Sequence, residues 1–276
     1  MKISSKWFSG ALVMLLSLSY FSTVLAKSDV DWRNSDETSQ SVIDHSAWQG
    51  ILDQYLKVSS GGEVNLFSYG DVKDLDKGNL QTYLKNMQNI DPIIFNKQEQ
   101  KAYWINLYNA LTVKLILDNY PVKSITKLGE SIFSFGPWDD DMARVNGVKL
   151  SLNDIEHEIL RPIFKDPLIH YAVNCASYSC PNLAGSAFTS QNIDSLLDRG
   201  ARDYINDARG VSFDGADLLV SSIYHWYKDD FGGEDASLIS HFKLYAKPEL
   251  KEKLIVFEKS DGDIEHDYNW QLNEAK

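Results

Sequence analysis

Cysteine is scarce in this chain: among 276 residues only Cys175 and Cys180 occur. Neither stands near the N-terminus, which excludes lipid attachment to a leader cysteine. Positive charge is also short, with 27 Lys and Arg against 39 Asp and Glu and a net charge of −12. A surface that acidic repels phosphate backbones and anionic headgroups, so nucleic acid is not an expected partner. Solubility alone accounts for the acidity. Beyond the first 26 residues no apolar run is long enough to span a bilayer, and no stable membrane insertion is expected. The chain lacks a phosphate-binding glycine loop, a dinucleotide fingerprint, a serine nucleophile elbow and a paired-histidine metalloprotease helix. No cofactor is therefore expected, and the expected partner is a small molecule or a peptide. Internal repeats and low-complexity segments are absent as well.

What is present begins with a leader. Lys2 and Lys6 precede an apolar run from Ala11 to Leu18 that ends at Val24-Leu25-Ala26. This charged, apolar, small-residue order is that of a cleaved secretory signal peptide over residues 1–26, which implies a secreted or periplasmic protein. Without its two lysines the mature chain is two units more negative. An uncleaved anchor is the rival reading, but Ser9, Gly10, Ser17, Ser19, Ser22 and Thr23 dilute the run. Residues 27–45 are polar and aperiodic, as in a flexible exit segment.

Residues 46–276 are expected to form a single globular domain. Trp48, Ile51, Leu52, Tyr55 and Leu56 recur at helical spacing up to Gly61-Gly62, and Leu80, Tyr83, Leu84 and Met87 line one face of a second helix. The third helix, near residues 97–119 and ending before Pro121, is apolar on nearly every side, which predicts burial all round. Asn106 and Asn109 share a face within it. Two amides in such surroundings must bond something, either the backbone of a neighbouring loop or a reacting group. Val122 to Ile125 leans to strand, Asn146-Gly147 predicts a tight hairpin turn, and Ser151 with Asp154 caps a short helix closed by Pro162. Leu168 to Asn174 alternates like a strand. A helix at 193–208, a hairpin around Asp214-Gly215, helical segments at 223–230, 237–245 and 248–253, and an extended Leu254 to Phe257 complete the pattern. The expected class is α+β, mostly helical with a small sheet.

Chemistry concentrates where the Leu168 to Asn174 segment meets Cys175 and Cys180. Three readings stand open. A disulfide could close between Cys175 and Cys180, since the count is even and the exported compartment permits it. Nucleophilic catalysis could use either cysteine, with His170 or His157 as base and Glu156, Asn106 or Asn109 orienting the imidazole. Zinc could be held by His157, His170, Cys175 and Cys180, although the histidine spacing is long for common zinc modules. Asp139, Asp140 and Asp141 lack the alternation of a calcium loop and read as a solvated turn.

Several segments together resemble a known family. They are Ala102 to Thr112, Ile155-Glu156-His157 with Leu160-Arg161, His170 to Cys175 with Ser179-Cys180-Pro181, Trp226-Tyr227 with Asp230-Phe231-Gly232, and Tyr268-Asn269-Trp270 with Leu272-Asn273. In this order, over roughly residues 62–273, they resemble the domain of unknown function 547 family. Asn269 departs from the aspartate common there, and His225 from the residues usual at its place. The resemblance implies one domain and a shared polar signature of Asn, Glu, His and Cys, which is more than a disulfide requires. A looser likeness to papain-like and transglutaminase-like folds implies a buried helix packed on a sheet that carries a catalytic histidine. On these grounds the leading expectation is a thiol-dependent hydrolase or acyltransferase; the alternative is a non-enzymatic binding domain clamped by a Cys175-Cys180 disulfide.

Overall fold

The computed structural model describes residues 30–129 and 136–275. The leader lies outside the described residues. Helix α1 (Ser46–Tyr55) leads through β1 (Leu56–Lys57) to β2 (Leu66–Phe67), its antiparallel partner, and on to α2 (Asp74–Gln88). Helix α3 (Lys97–Asp118) follows, its first turn capped by the Asn96 side chain, which accepts from the Glu99 N–H. The residues of α3 from Glu99 to Val113 are buried without a break, as the absence of a polar face predicts. Trp48, Trp104, Tyr69, Tyr103 and Tyr108 are the bulkiest parts of the core built around it.

The residues before α1 do not hang free. Trp32 meets the Trp104 ring edge-on at 5.2 Å, and Gln100 donates to the Asn34 carbonyl. Ile43 is buried and its N–H donates to the Glu99 carboxylate at 2.7 Å. The expected flexible segment is thus corrected over residues 30–45: a few apolar side chains in a polar stretch suffice to dock it.

The hairpin of β3 (Ala143–Val145) and β4 (Val148–Leu150) turns at Asn146 and Gly147, whose φ values of 48° and 78° are those the turn requires. Ser151 and Asp154 then form the reciprocal cap, Asp154 Oδ2 accepting from the Ser151 N–H and Ser151 Oγ from the Asp154 N–H. The helix beyond it opens as a π-helical segment, Asp154–Leu160, and continues into α4 (Arg161–Phe164). Pro162 therefore does not close this helix. It sits in the first turn of α4, where a missing N–H is tolerated, and the wide turn ahead of it accommodates the ring.

Leu168 to Asn174 is not a strand. Asp166 accepts from the Leu168 N–H and starts a 3-10 turn, Pro167–Tyr171. Every residue from Ile169 to Asn174 is buried, so alternation has no solvent face to report, and side chains rather than a strand ladder satisfy this backbone. Val122 to Ile125 also forms no strand; Ser124 caps a turn at Ile125–Lys127.

The C-terminal part comprises α5 (Ile193–Ile205), the hairpin of β5 (Val211–Asp214) and β6 (Asp217–Ser221), α6 (Ile223–Trp226), α7 (Asp235–Tyr245), α8 (Pro248–Phe257) and β7 (Ile264–Asp267). Strand β7 pairs parallel with β6, making a three-stranded sheet. The extended reading of Leu254 to Phe257 fails because Leu254 and Phe257, three apart, are buried while Ile255 and Val256 are exposed, which is helical spacing. The class is α+β and mostly helical. Among the described residues no helix is long and apolar enough to cross a membrane. One apolar core surrounds α3 and another lies among α5, β6, α7 and α8; Ile169 belongs to the first and Tyr171 to the second. His170, between them, stands where the two cores meet.

Candidate active site

The loop from Cys175 to Cys180 is tied at almost every residue. Asn174 accepts from the Ala176 N–H through Oδ1 at 2.9 Å and donates to the Pro181 carbonyl at 2.8 Å. Ala176 has φ = 59°, a left-handed conformation that costs a residue with a Cβ and persists because the loop around it is over-determined. The Tyr178 N–H donates to Gln271 O and the Ser179 N–H to Asn269 O, while Tyr204 and Arg209 donate to the Ser179 and Tyr178 carbonyls. The two sulfurs are held side by side. The Cys175 N–H donates to Cys180 Sγ at 3.1 Å, and Cys175 Sγ lies 3.0 Å from Ser177 Oγ and 3.3 Å from the Tyr268 hydroxyl. Both cysteines are free thiols here, Cys175 half-buried and Cys180 buried. The Cys180 thiol, then the Ser177 and Tyr268 hydroxyls, hydrogen-bond to Cys175 and bring its pKa down to about 7 against the cost of burial. Burial and the neighbouring Cys175 push Cys180 the other way.

His170 is buried, with one ring nitrogen engaged. Nε2 lies 2.7 Å from Asp230 Oδ2, and Arg161 Nε donates to the same oxygen at 2.6 Å. The hydrogen bond from His170, followed by that from Arg161, holds the Asp230 carboxyl well below the usual carboxylate range. An ionised Asp230 only accepts, so Nε2 carries a ring proton, and in the neutral ring the lone pair is then on Nδ1. Among the described residues Nδ1 has no hydrogen-bond partner; it stands 3.9 Å from Glu156 Oε1. The ring is fixed by stacking on Tyr227 at 4.2 Å. The Tyr227 hydroxyl lies against the Glu156 carboxylate; burial first, then that charge, hold the phenol well above its ordinary pKa.

His170, Glu156, Cys175 and Cys180 line a single cavity of about 310 Å³. Its other walls are largely aromatic, with Tyr108, Trp138, Trp226, Tyr227, Tyr268 and Trp270. Among the described residues no lysine or arginine lines it. The hydrogen bonds of the two sulfurs go to Ser177, Tyr268, the Val173 carbonyl and each other's residue, and none goes to an imidazole.

Three sequence expectations are corrected. His157 does not line the cavity: its Nδ1 is 3.0 Å from Arg161 Nη1 and accepts from it, because the π-helical turn sends Glu156 and His157 to different surroundings. Asn106 and Asn109 bond backbone and are not at the cavity. Asn106 donates to Phe188 O and accepts from Phe188 N–H, at 2.7 and 3.0 Å. Asn109 donates to Ala172 O and accepts from Asn174 N–H, both at 2.8 Å. Each amide thus spends both ends on chain that has no ladder of its own. Finally, among the described residues no group of three or more His, Cys, Asp and Glu is placed to hold a metal ion, so the zinc reading fails. In the aspartate run, Asp139 accepts from Asn153 and Asp141 pairs with Lys149.

Asn109→Ala is expected to destabilise the protein by about 3 kcal/mol, since it orphans a buried carbonyl and a buried N–H together. A loss of unfolding free energy, measured by urea titration, of less than a third of that amount would refute the clamp.

Sequence reasoning missed Asp230, Tyr227, Tyr268 and Ser177 as site residues. Asp230 and Tyr268 stand 60 and 98 residues beyond His170, and no local spacing rule links them; their presence in the resembling segments was the one available signal. Comparisons with curated proteins and with solved structures returned no match. Residues 94–205, which hold α3, Glu156, His170 and both cysteines but not Asp230 or Tyr268, match the family model described as Protein of unknown function, DUF547, and over that segment the resemblance is shown.

Proposed function

We propose that this is an exported thiol-dependent hydrolase or acyltransferase, with Cys175 as nucleophile, His170 as general base and acid, and Asp230 as the group that orients the imidazole. The observation that carries the reading is the meeting, in one cavity, of a thiol poised near neutrality with a buried histidine whose free nitrogen is a lone pair. Export is supported by the leader pattern over residues 1–26.

The chemistry follows from the two groups. The Cys175 proton passes to His170 Nδ1 and the thiolate adds to an acyl carbon. The tetrahedral intermediate expels its leaving group, which takes the proton from the imidazolium. Water or an acceptor alcohol or amine then gives a proton to Nδ1, attacks the thioester and releases the sulfur. Glu156, close to Nδ1, stabilises the imidazolium that forms between these steps. Because Cys175 draws its acidity from Cys180, Ser177 and Tyr268, giving its proton to His170 costs little near neutrality although no imidazole hydrogen-bonds to the sulfur.

Iodoacetamide labelling followed by peptide mapping tests the nucleophile. Cys175 is expected to alkylate with a rate that rises through a midpoint at about pH 7, and Cys180 to stay unlabelled in the folded protein. In the denatured chain both should show the ordinary midpoint near ~8.5. With p-nitrophenyl acetate, one acetyl group is expected on Cys175 and none in Cys175→Ser. Equal acetylation of the two proteins would refute the assignment.

A further inference from the structure

In that acyl transfer the second sulfur forms no bond to substrate and serves only to acidify the first, yet the loop holds it with as much care. Cys180 Sγ accepts from the Cys175 N–H, its thiol hydrogen-bonds to the Cys175 sulfur, and it lies 3.8 Å from the Val173 carbonyl. The backbone that sets this pair is pinned from Asn174, Tyr204, Arg209, Asn269 and Gln271. A structural packing cysteine needs none of this: a buried thiol at such a place is replaceable by a small apolar residue.

We propose that Cys175 and Cys180 form a redox dithiol that exchanges with small neutral or cationic disulfides entering the cavity. Cys175 attacks one sulfur of the disulfide RS–SR, breaking that bond, forming a mixed disulfide and releasing one thiolate, which takes up the proton Cys175 lost. Cys180 then loses its proton and attacks Cys175 Sγ, forming the internal disulfide and expelling the second thiol. Two protein thiols are oxidised and one RS–SR is reduced to two RSH. The division of labour follows from exposure. Cys175 is half-buried with two hydroxyls against its sulfur, as an attacking thiol requires, whereas Cys180 lines the same cavity but is buried beside it.

The cavity wall selects the disulfide. Among the described residues it carries Glu156, six aromatic rings and no lysine or arginine, so an anionic disulfide meets no permanent counter-charge and an ammonium-bearing one meets ring faces and a carboxyl group. Cystamine is therefore expected to react at least about tenfold faster than glutathione disulfide at low ionic strength. The exchange uses the sulfurs of the acyl-transfer site but not His170, so either reading can fail alone.

The experiment takes reduced, folded protein, freed of reductant, and follows its intact mass and free thiols after addition of cystamine or of glutathione disulfide. Wild type is expected to lose both thiols and retain no adduct. Cys180→Ser, and Cys180→Ala as a second variant in case serine is not tolerated in that buried place, should accumulate one cysteamine adduct on Cys175. Cys175→Ser should remain unmodified. In His170→Asn, which removes acyl transfer, closure of the disulfide should persist. A stable adduct on wild type without an internal disulfide overturns the resolving role of Cys180, adduct formation on Cys175→Ser overturns the attacking role of Cys175, and equal rates for the two disulfides overturn the selection by charge.

Discussion

His170→Asn is expected to lower steady-state hydrolysis of an activated ester by about 10³-fold, within the range for loss of a positioned acid and base. The same variant should leave the alkylation midpoint of Cys175 at about pH 7, because the groups that acidify this thiol are Cys180, Ser177 and Tyr268. That pairing of results separates two kinds of thiol site. Where an imidazolium holds the thiolate by direct contact, removing the ring raises the thiol midpoint; where hydroxyls and a second thiol do it, only turnover suffers. Asparagine is the right replacement, since it retains polar contact beside Asp230 and keeps the Arg161–Asp230 ion pair from being stranded. An ester-hydrolysis loss smaller than tenfold, or a midpoint moved up by a full unit, would each count against the roles given to His170 and to the hydroxyls.

Much of the helical scaffold is legible from apolar spacing. The apolar residues between Ala102 and Leu117 leave α3 little polar surface, and in the structure it is buried without a break from Glu99 to Val113. Asn146-Gly147 and the Ser151/Asp154 pair are equally readable, because each is a local rule about φ or about orphan N–H groups that needs no distant partner. The failures share a cause. Leu168 to Asn174 alternates only in residue type; once Asp166 caps a turn and Asn109 takes the carbonyl of Ala172 and the N–H of Asn174, a buried backbone is satisfied without a ladder. Likewise Leu254-Ile255-Val256-Phe257 reads as strand by composition, yet only its first and last residues find a core.

The site was half legible for a related reason. His170, Glu156 and both sulfurs lie within 25 residues of chain and do converge on one cavity, as their clustering suggested. The residue that decides which nitrogen of His170 is basic lies on the far side of α5 and the β5–β6 hairpin, and only packing brings it there. Asn106 and Asn109 resolve the other way. Of the two readings that their shared helix face left open, bonding to loop backbone holds and a place among the catalytic groups does not, and their effect on the site runs through the position of the segment carrying His170 and Asn174.

Asp230→Asn is expected to cost as much activity as loss of the imidazole, about 10²–10⁴-fold in kcat, with the cavity intact. The reason is a single proton. Asp230 as a carboxylate can only accept, which keeps hydrogen on Nε2 and the lone pair on Nδ1. An amide at this position can present its NH₂ to Nε2 instead; the ring then takes the other tautomer, Nδ1 carries the hydrogen, and no base faces the side of the ring nearest Glu156. Acylation of Cys175 by a highly activated ester should suffer less than deacylation, because a thiolate poised near neutrality needs the base least in the first step. A burst of one acetyl group per chain followed by very slow turnover is the expected trace. Stability supplies an independent reading. The folded pKa of Asp230 is depressed, so its contribution is fully present above the unfolded carboxyl value of about 3.9 and disappears as pH falls through the lower folded value. The difference in unfolding free energy between wild type and Asp230→Asn should therefore be constant from neutrality to about pH 4 and shrink only below it. A difference that shrinks instead between pH 5 and 7 would place the linkage on the histidine, and the carboxylate would not be the group that sets its tautomer.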